Sequence, residues 1–293
     1  MDIHRHSSVP AETAPRAPVL RSLLVPVPPS GLPQRLIERM ARLPVAPGAT
    51  MTLVHVRSRF GSANVEAHLA DAARRLASFL PMVKMDRVLT SGPTLAALRA
   101  LARTTDADLL VIGSADRPLH KLAAGTKAMR IVRHAGCPVL VVGGEVTSTY
   151  QRPLVAVDLD DSARAVLTFA RRVLPAPHPP ITVVHAYEVP FEGLLHPDSA
   201  DTHREYYRRR AEGALIELIA NLRATDGQWS RHLQYGEPRL VISTLIARTC
   251  ADLVVVGTHA RSIVISALLG SVAADVVRRA RCDVLVVPPH ARR

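Results

Sequence analysis

Three features of the second half of this chain have the makings of a binding site. Gly257 ends an apolar run, Gly270-Ser271 lies a short loop beyond it, and Asp158 closes an earlier apolar run. Glycine lets a backbone approach a ligand closely. A helix starting at Gly270 would offer free N–H groups and partial positive charge to an anion. Ser271 adds a hydroxyl hydrogen bond, and the Asp158 carboxylate can accept from a ribose hydroxyl. Together these suit the phosphates and sugar of a nucleotide. Each also has a plainer reading: a strand-to-helix turn that binds nothing, and an aspartate that forms a turn or caps a helix. No nucleophile–base pair, carboxylate dyad or metal-ligand spacing accompanies them, so no catalytic residue and no metal ligand is assigned.

Strands and helices must place these residues. Leu154–Val157 is a short apolar run ending at Asp158, the pattern of a buried strand. A helical pattern opens at Ser162 and continues through Leu174, where Pro175-Ala176-Pro177 closes it. Ile181–Tyr187 reads as the next strand, followed by a long helix from about Asp201 to Arg223. Gln228–Gln234 alternates like a strand, and after Gly236 and Pro238 a helix runs to about Thr249. Leu253–Val256 and Val284–Val287 are the fourth and fifth strands, with a last helix starting at Gly270.

The first half repeats this order. Ala107-Asp108-Leu109-Leu110-Val111-Ile112-Gly113 parallels Ala251-Asp252-Leu253-Val254-Val255-Val256-Gly257, and Cys137–Val142 parallels Cys282–Val287. Gly113 and Gly257 are 144 residues apart, whereas Gly125 and Gly270 are 145 apart, so one residue was gained or lost in the loop between. A period this long marks a duplicated domain. The strands of the first copy are Leu23–Val27, Met51–Val56, Val83–Leu89, Leu109–Ile112 and Val139–Val142, with helices near 32–42, 64–79, 95–104 and 126–134. Such alternation implies right-handed crossovers and a parallel sheet covered on both faces. The fold class is therefore α/β: two tandem doubly wound, Rossmann-like domains, each a five-stranded parallel sheet with helices on both faces. They are placed at 21–146 and 152–290, joined by a short linker, Thr147–Gln151, and preceded by a polar, Pro/Ala-rich tail over 1–20 that is expected to be disordered. Pro26 fits a central strand poorly because it cannot donate to the ladder, and it is expected where the strand leaves the sheet.

Composition narrows the function classes. The 293 residues suffice for two domains, and 48% hydrophobic with 21% charged residues describes a globular chain. Aromatics are only 3%, so Val, Leu, Ala and Ile must build the core. No apolar run reaches the ~20 residues of a membrane span, and Met1–His6 lacks the apolar stretch of a secretory signal. Three cysteines without zinc or CxxC spacing suit a reducing compartment, so a cytoplasmic protein with no membrane partner is expected. Cys137 and Cys282 read as small buried hydrophobes, with a redox sensor as the alternative. The net charge of +12 attracts acidic partners, but the arginines are scattered and base-stacking aromatics scarce, which argues against nucleic acid. Arg208-Arg209-Arg210 read as a solvated helix face, and His185 as a hydrogen-bonded core histidine.

The second copy resembles the universal stress protein family, whose nucleotide-binding members carry Gly-x2-Gly-x9-Gly-(Ser/Thr) after the fourth strand. Here Gly257-Thr258-His259-Ala260 is followed by nine residues, Arg261–Leu269, and then Gly270-Ser271-Val272; Ala260 replaces the second glycine. Val155-Ala156-Val157-Asp158 and Gly236-Glu237-Pro238 are also similar to the family, and the likeness extends over residues 21–290. The resemblance implies ATP or a related adenine nucleotide as ligand, with or without Mg²⁺. Asp158 would hold the adenosine end, and the backbone near Ala186 would meet adenine. Gly257, His259 and Ala260 would line the triphosphate path, and Gly270, Ser271 and Val272 would bind phosphates. His259 reads equally as an ordinary loop residue. If position 260 needs positive φ, alanine costs ~1 kcal/mol there.

The first copy departs further, with Pro28 at the place of Asp158, Asp116 at the place of the second glycine, and only eight residues before Gly125-Thr126. A carboxylate beside a polyphosphate is repulsive, so this copy reads as degenerate and nucleotide-free. The resemblance further implies homo-oligomers, with Val139–Val142 and Val284–Val287 pairing inside one chain as a pseudo-dimer. It implies a non-enzymatic stress protein with ATP as ligand. A nucleotide-free interaction scaffold and a weak ATPase or autophosphorylating protein are the alternatives.

Overall fold

Strands covered on both faces tolerate few polar residues, and the Val-, Leu- and Ile-rich runs of this chain become the middle of one large sheet. The computed structural model describes residues 20–57, 64–113, 127–194, 197–222, 228–258, 269–289 and 291. In the first half, strands β1 (Leu20–Pro26), β2 (Val45–Arg57), β3 (Lys84–Ser91), β4 (Leu109–Gly113) and β5 (Val139–Val142) alternate with helices α1 (Gln34–Met40), α2 (Val65–Phe79), α3 (Thr94–Thr104) and α4 (Lys127–His134). The second half repeats them as β6 (Pro153–Ala156), α5 (Ala163–Arg172), β7 (Ile181–Tyr187), α6 (Pro197–Ala220), β8 (Trp229–Tyr235), α7 (Pro238–Thr249), β9 (Leu253–Gly257), α8 (Ser271–Arg279) and β10 (Asp283–Val287). A 3₁₀ turn at Glu192–Leu194 precedes α6.

The strand order is β3-β2-β1-β4-β5-β10-β9-β6-β7-β8. Within each half the pairings are parallel. The halves meet antiparallel, with Val284 opposite Val141, Leu285 opposite Leu140 and Val286 opposite Val139. The two last strands thus pair within this chain. Side chains alternate between two layers: along β9, Leu253 and Val255 join the layer holding α1, α2, α5 and α6, and Val254 and Val256 join that of α3, α4, α7 and α8.

The repeated Ala-Asp before the fourth strand has a structural reason. Asp108 accepts from the N–H groups of Arg21 and Ser22 at 2.7 and 3.0 Å, and Asp252 accepts from those of Gln151 and Arg152 at 2.7 and 3.0 Å. Each carboxylate ties the entry of the neighbouring strand. Pro26, the last residue of β1, still stands opposite Val54 of β2, so the strand has not left the sheet there, but it lies beyond the Leu24–Leu110 pair where β1 stops meeting β4. Cys282 is buried and Cys137 half-buried, and burial pushes both thiols up to about 12. Cys250 is exposed.

The segment expected as a linker carries a core residue. Tyr150 is 2% exposed, and its hydroxyl donates to the fully buried carboxylate of Asp283 at 2.8 Å. Arg39 on α1 donates to the same carboxylate at 2.6 Å, reaches Ser148 O at 3.1 Å, and lies 4.0 Å from the Tyr150 ring centroid. A second cross-half ion pair joins Arg172 to Asp108 at 2.5 Å. These contacts join the two halves as a packed joint rather than a tether.

Candidate functional site

The strand order reverses at β6, which has β9 on one side and β7 on the other. Doubly wound sheets bind ligands beyond the carboxyl ends of the strands at such a point. A cleft of about 980 Å³ opens there, lined by residues from the ends of β6, β7 and β9 and from α5, α6, α7 and α8. Asp158, Ala186, Gly257, Gly270, Ser271 and Val272 all line it. His259 and Ala260 lie outside the described residues, as do Asp116, Gly125 and Thr126 of the first copy. Pro28 follows β1 as Asp158 follows β6, so the first copy has no carboxylate at that place.

Two bonds position the chain leading into Asp158. The Val157 N–H donates to Val184 O at 3.0 Å, and Val157 O lies 2.9 Å from His185 Nδ1. A carbonyl only accepts, so Nδ1 carries the proton in this arrangement. The first copy keeps the same device, His55 Nδ1 to Val27 O at 2.8 Å, although Pro28 has replaced the aspartate. The histidines therefore serve the strand crossing; His185 is hydrogen-bonded as expected, but it is half-buried and lines the cleft rather than the core. The turn after β6 is closed by Asp160, whose carboxylate accepts from Ser162 N at 2.9 Å and Ser162 Oγ at 2.6 Å. The N-cap of α5 is Ser162, which this turn holds in place.

Gly257 is needed for packing. A Cβ there would lie 3.2 Å from Val166 Cγ2 and 3.8 Å from Ser162 Oγ, both from the start of α5. The glycine lets that helix approach the sheet, the role assigned to the third glycine of dinucleotide-binding turns. Gly257→Ala is expected to cost ~1–3 kcal/mol through overpacking; urea denaturation checks it, and a midpoint unchanged from wild type would contradict the contact. Across the cleft, α8 begins at Ser271 with Gly270 as its N-cap. Its first intrahelical bond runs from Ala274 N to Gly270 O at 2.9 Å. The N–H groups of the preceding first turn carry the partial positive charge of the helix end. No acidic residue stands in that turn, and Arg278 and Arg279 stand in the last one.

A family model described as the universal stress protein family matches residues 20–143 and 149–288, once for each half. The chain belongs to the universal stress protein family. A universal stress protein of Mycobacterium tuberculosis is 31% identical over 198 residues, covering 62% of this chain and 62% of that relative's length. Universal stress protein G of Salmonella typhimurium is 35% identical over 95 residues, 32% of this chain and 66% of its own. Among solved structures, a functionally unknown protein from Pseudomonas aeruginosa PAO1 superposes with a TM-score of 0.68 at 21% identity, covering 92% of this chain and 93% of its own. A universal stress protein from Archaeoglobus fulgidus DSM 4304 gives 0.64 at 14% identity, covering 92% and 98%. These likenesses carry the universal stress protein fold across both halves.

Sequence reading did not foresee one wall of the cleft. Tyr187, Phe191, Tyr207 and Arg210 also line it. Arg208 and Arg209 behave as a solvated face, pairing with Glu205 at 2.7 and 2.6 Å, but Arg210 belongs to the cleft. The loop after β7 is clasped by Glu192, which accepts from the Tyr235 hydroxyl and from Arg204 Nε. The Tyr235 hydrogen bond holds the Glu192 carboxyl below its ordinary range, and Arg204 adds to this against a desolvation cost. Phe191, in left-handed backbone at φ 56° and 79% exposed, stands at the mouth. The helical spacing of Tyr207, Arg210, Ala211 and Ala214 was the available signal for this wall.

Proposed function

We propose that the second half binds ATP or a related adenine nucleotide in this cleft, as a regulatory ligand of a cytoplasmic stress protein. The observation that carries the reading is convergence: a carboxylate just past β6 and a helix start with no acidic residue in its first turn face one cleft at the strand-order reversal. Asp158 would accept from a ribose hydroxyl, adenine would lie at the end of β7 near Ala186, and the first turn of α8 would take the phosphates. Ser271 adds a hydroxyl donor there, and Val272 a backbone N–H. His259, Ala260 and bound Mg²⁺, if used, would complete the triphosphate path. The residues assigned here bind and orient, and none is given a catalytic step.

Calorimetric titration of the full chain with ATP in the presence of Mg²⁺ tests the reading. Saturable binding near one nucleotide per chain is expected, with Asp158→Ala weakening it ~10-fold or more through loss of a hydrogen bond to a charged group. Asp116→Ala, in the first copy, should leave the affinity unchanged. Absence of ATP binding by the wild-type chain would refute the proposal.

A further inference from the structure

We propose that the α6 wall of the cleft is the seat of the nucleobase, with the guanidinium of Arg210 laid against the face of the base. The inference rests on the nucleotide reading above, which puts adenine near the backbone of Ala186, and adds a side chain, Arg210, that meets the face of the base.

The geometry of α6 separates two stripes. Ala211, Leu215 and Ile219 are buried and pack the helix onto the protein. Tyr207, Arg210, Ala211 and Ala214, spaced three and four residues apart, line the cleft. Charge pairing then sets Arg210 apart. Arg204 pairs with Glu192 and Asp201, Arg208 with Glu205 and Glu212, and Arg209 with Glu205. Among the described residues Arg210 has no carboxylate partner, although it is the arginine of this run that lines the cleft.

Position decides which part of a ligand this cation would meet. The start of α8 lies beside β9, whereas α6 follows β7, and β6 stands between those strands. With strands ~4.8 Å apart, the ends of β9 and β7 lie ~10 Å apart, and α8 and α6 cover opposite faces of the sheet beside them. The α8 end supplies the anion-attracting charge, and a nucleotide lying across β6 would turn its base toward β7 and α6. Aromatic surface is concentrated there as well. The chain has four phenylalanines, five tyrosines and one tryptophan, yet Tyr187, Phe191 and Tyr207 share this end of one cleft. Flat rings and a planar guanidinium offer a base the stacking surface that its π-face requires.

Titrating full-length wild type, Arg210→Ala and Arg210→Lys with ATP and with adenosine tests the assignment. A base contact predicts that Arg210→Ala weakens both ligands by the same factor, about tenfold. Arg210→Lys should remain as weak as alanine, because lysine keeps the charge and loses the plane. A loss confined to ATP would make Arg210 a phosphate contact and overturn the proposal. So would an unchanged affinity for both ligands, or full affinity in the lysine variant. If wild type binds neither ligand, the nucleotide reading itself fails and takes this inference with it. Wild-type binding with an unaffected Arg210→Ala variant refutes this inference alone.

Discussion

Asp283→Ala should destabilise the chain by ~3–5 kcal/mol, the range for removing one partner of a buried ion pair. The carboxylate is 0% exposed and has four donors: Arg39 Nε at 2.6 Å, the Tyr150 hydroxyl at 2.8 Å, and the N–H groups of Gly143 and Gly144 at 3.0 Å each. Burial first, and then the charge of Asp283, push the Tyr150 phenol well above its ordinary range, so it stays protonated as a donor. Alanine would leave a guanidinium whose side chain is 3% exposed with, among the described residues, Ser148 O and the Tyr150 ring as its remaining partners. It would also strand two backbone N–H groups. The packing is tight around them, since a Cβ on Gly144 would lie 3.1 Å from Cys282 Cα.

The location adds a second consequence. Arg39 comes from the first half, Asp283 from the second and Tyr150 from the segment between, so the loss falls on the joint. Denaturant unfolding followed by tryptophan fluorescence, which reports Trp229 in the second half, and by circular dichroism, which reports both halves, should show the two transitions separating in Asp283→Ala. Coincident transitions within ~1 kcal/mol of wild type would show that the β5–β10 pairing and the Arg172–Asp108 pair couple the halves without Asp283. Asp283→Asn keeps the shape and part of the hydrogen bonding, and its cost should lie between the two.

The joint was invisible in the sequence for a physical reason. Residues 39, 150 and 283 obey no spacing rule; they meet because β10 docks against β5, and Thr147–Gln151 read only as a polar connection. Strand interiors were legible, because Leu109–Ile112 and Leu253–Val256 are continuous apolar runs that only a doubly covered strand needs. Their ends were not. β2 extends back to Val45 through Pro47 and Gly48, where pairing with β1 is irregular and apolar pattern gives no cue. α6 begins at Pro197, four residues before the expected Asp201, since proline is tolerated in a first helical turn. The site divides in the same way. Asp158 and Gly270-Ser271 stand at element ends that local pattern locates, and the cleft brings them together. Gly257 also lines the cleft, and the fold adds a packing reason that local pattern does not show, since its missing side chain makes room for Val166. For the α6 wall, helical spacing puts Tyr207, Arg210, Ala211 and Ala214 on one face, but that this face meets the ends of β6 and β7 depends on the fold.

The second large effect concerns the start of α8, where stability and binding should move in opposite directions. Gly270 has φ −55° and ψ 152°, backbone that any residue adopts, so Gly270→Glu brings no left-handed strain. Its carboxylate would sit at the positive end of the helix dipole, an interaction that stabilises helices by ~0.3–1 kcal/mol. The same charge would occupy the place proposed for the phosphates, and like charges repel strongly in a partly desolvated cleft. ATP affinity should therefore fall ~100-fold or more, equivalent to ~2.7 kcal/mol or more, while the denaturation midpoint holds or rises. Gly270→Gln serves as the neutral control of similar size. If glutamine weakens ATP as much as glutamate does, the effect is steric and the phosphates are not met by the helix charge. If glutamate leaves ATP affinity intact, the phosphates lie elsewhere, and the assignment of Gly270, Ser271 and Val272 falls with it. Adenosine, which lacks phosphates, should bind Gly270→Glu nearly as it binds wild type. That contrast mirrors the Arg210 experiment and would place the two ends of the ligand on opposite walls of the same cleft.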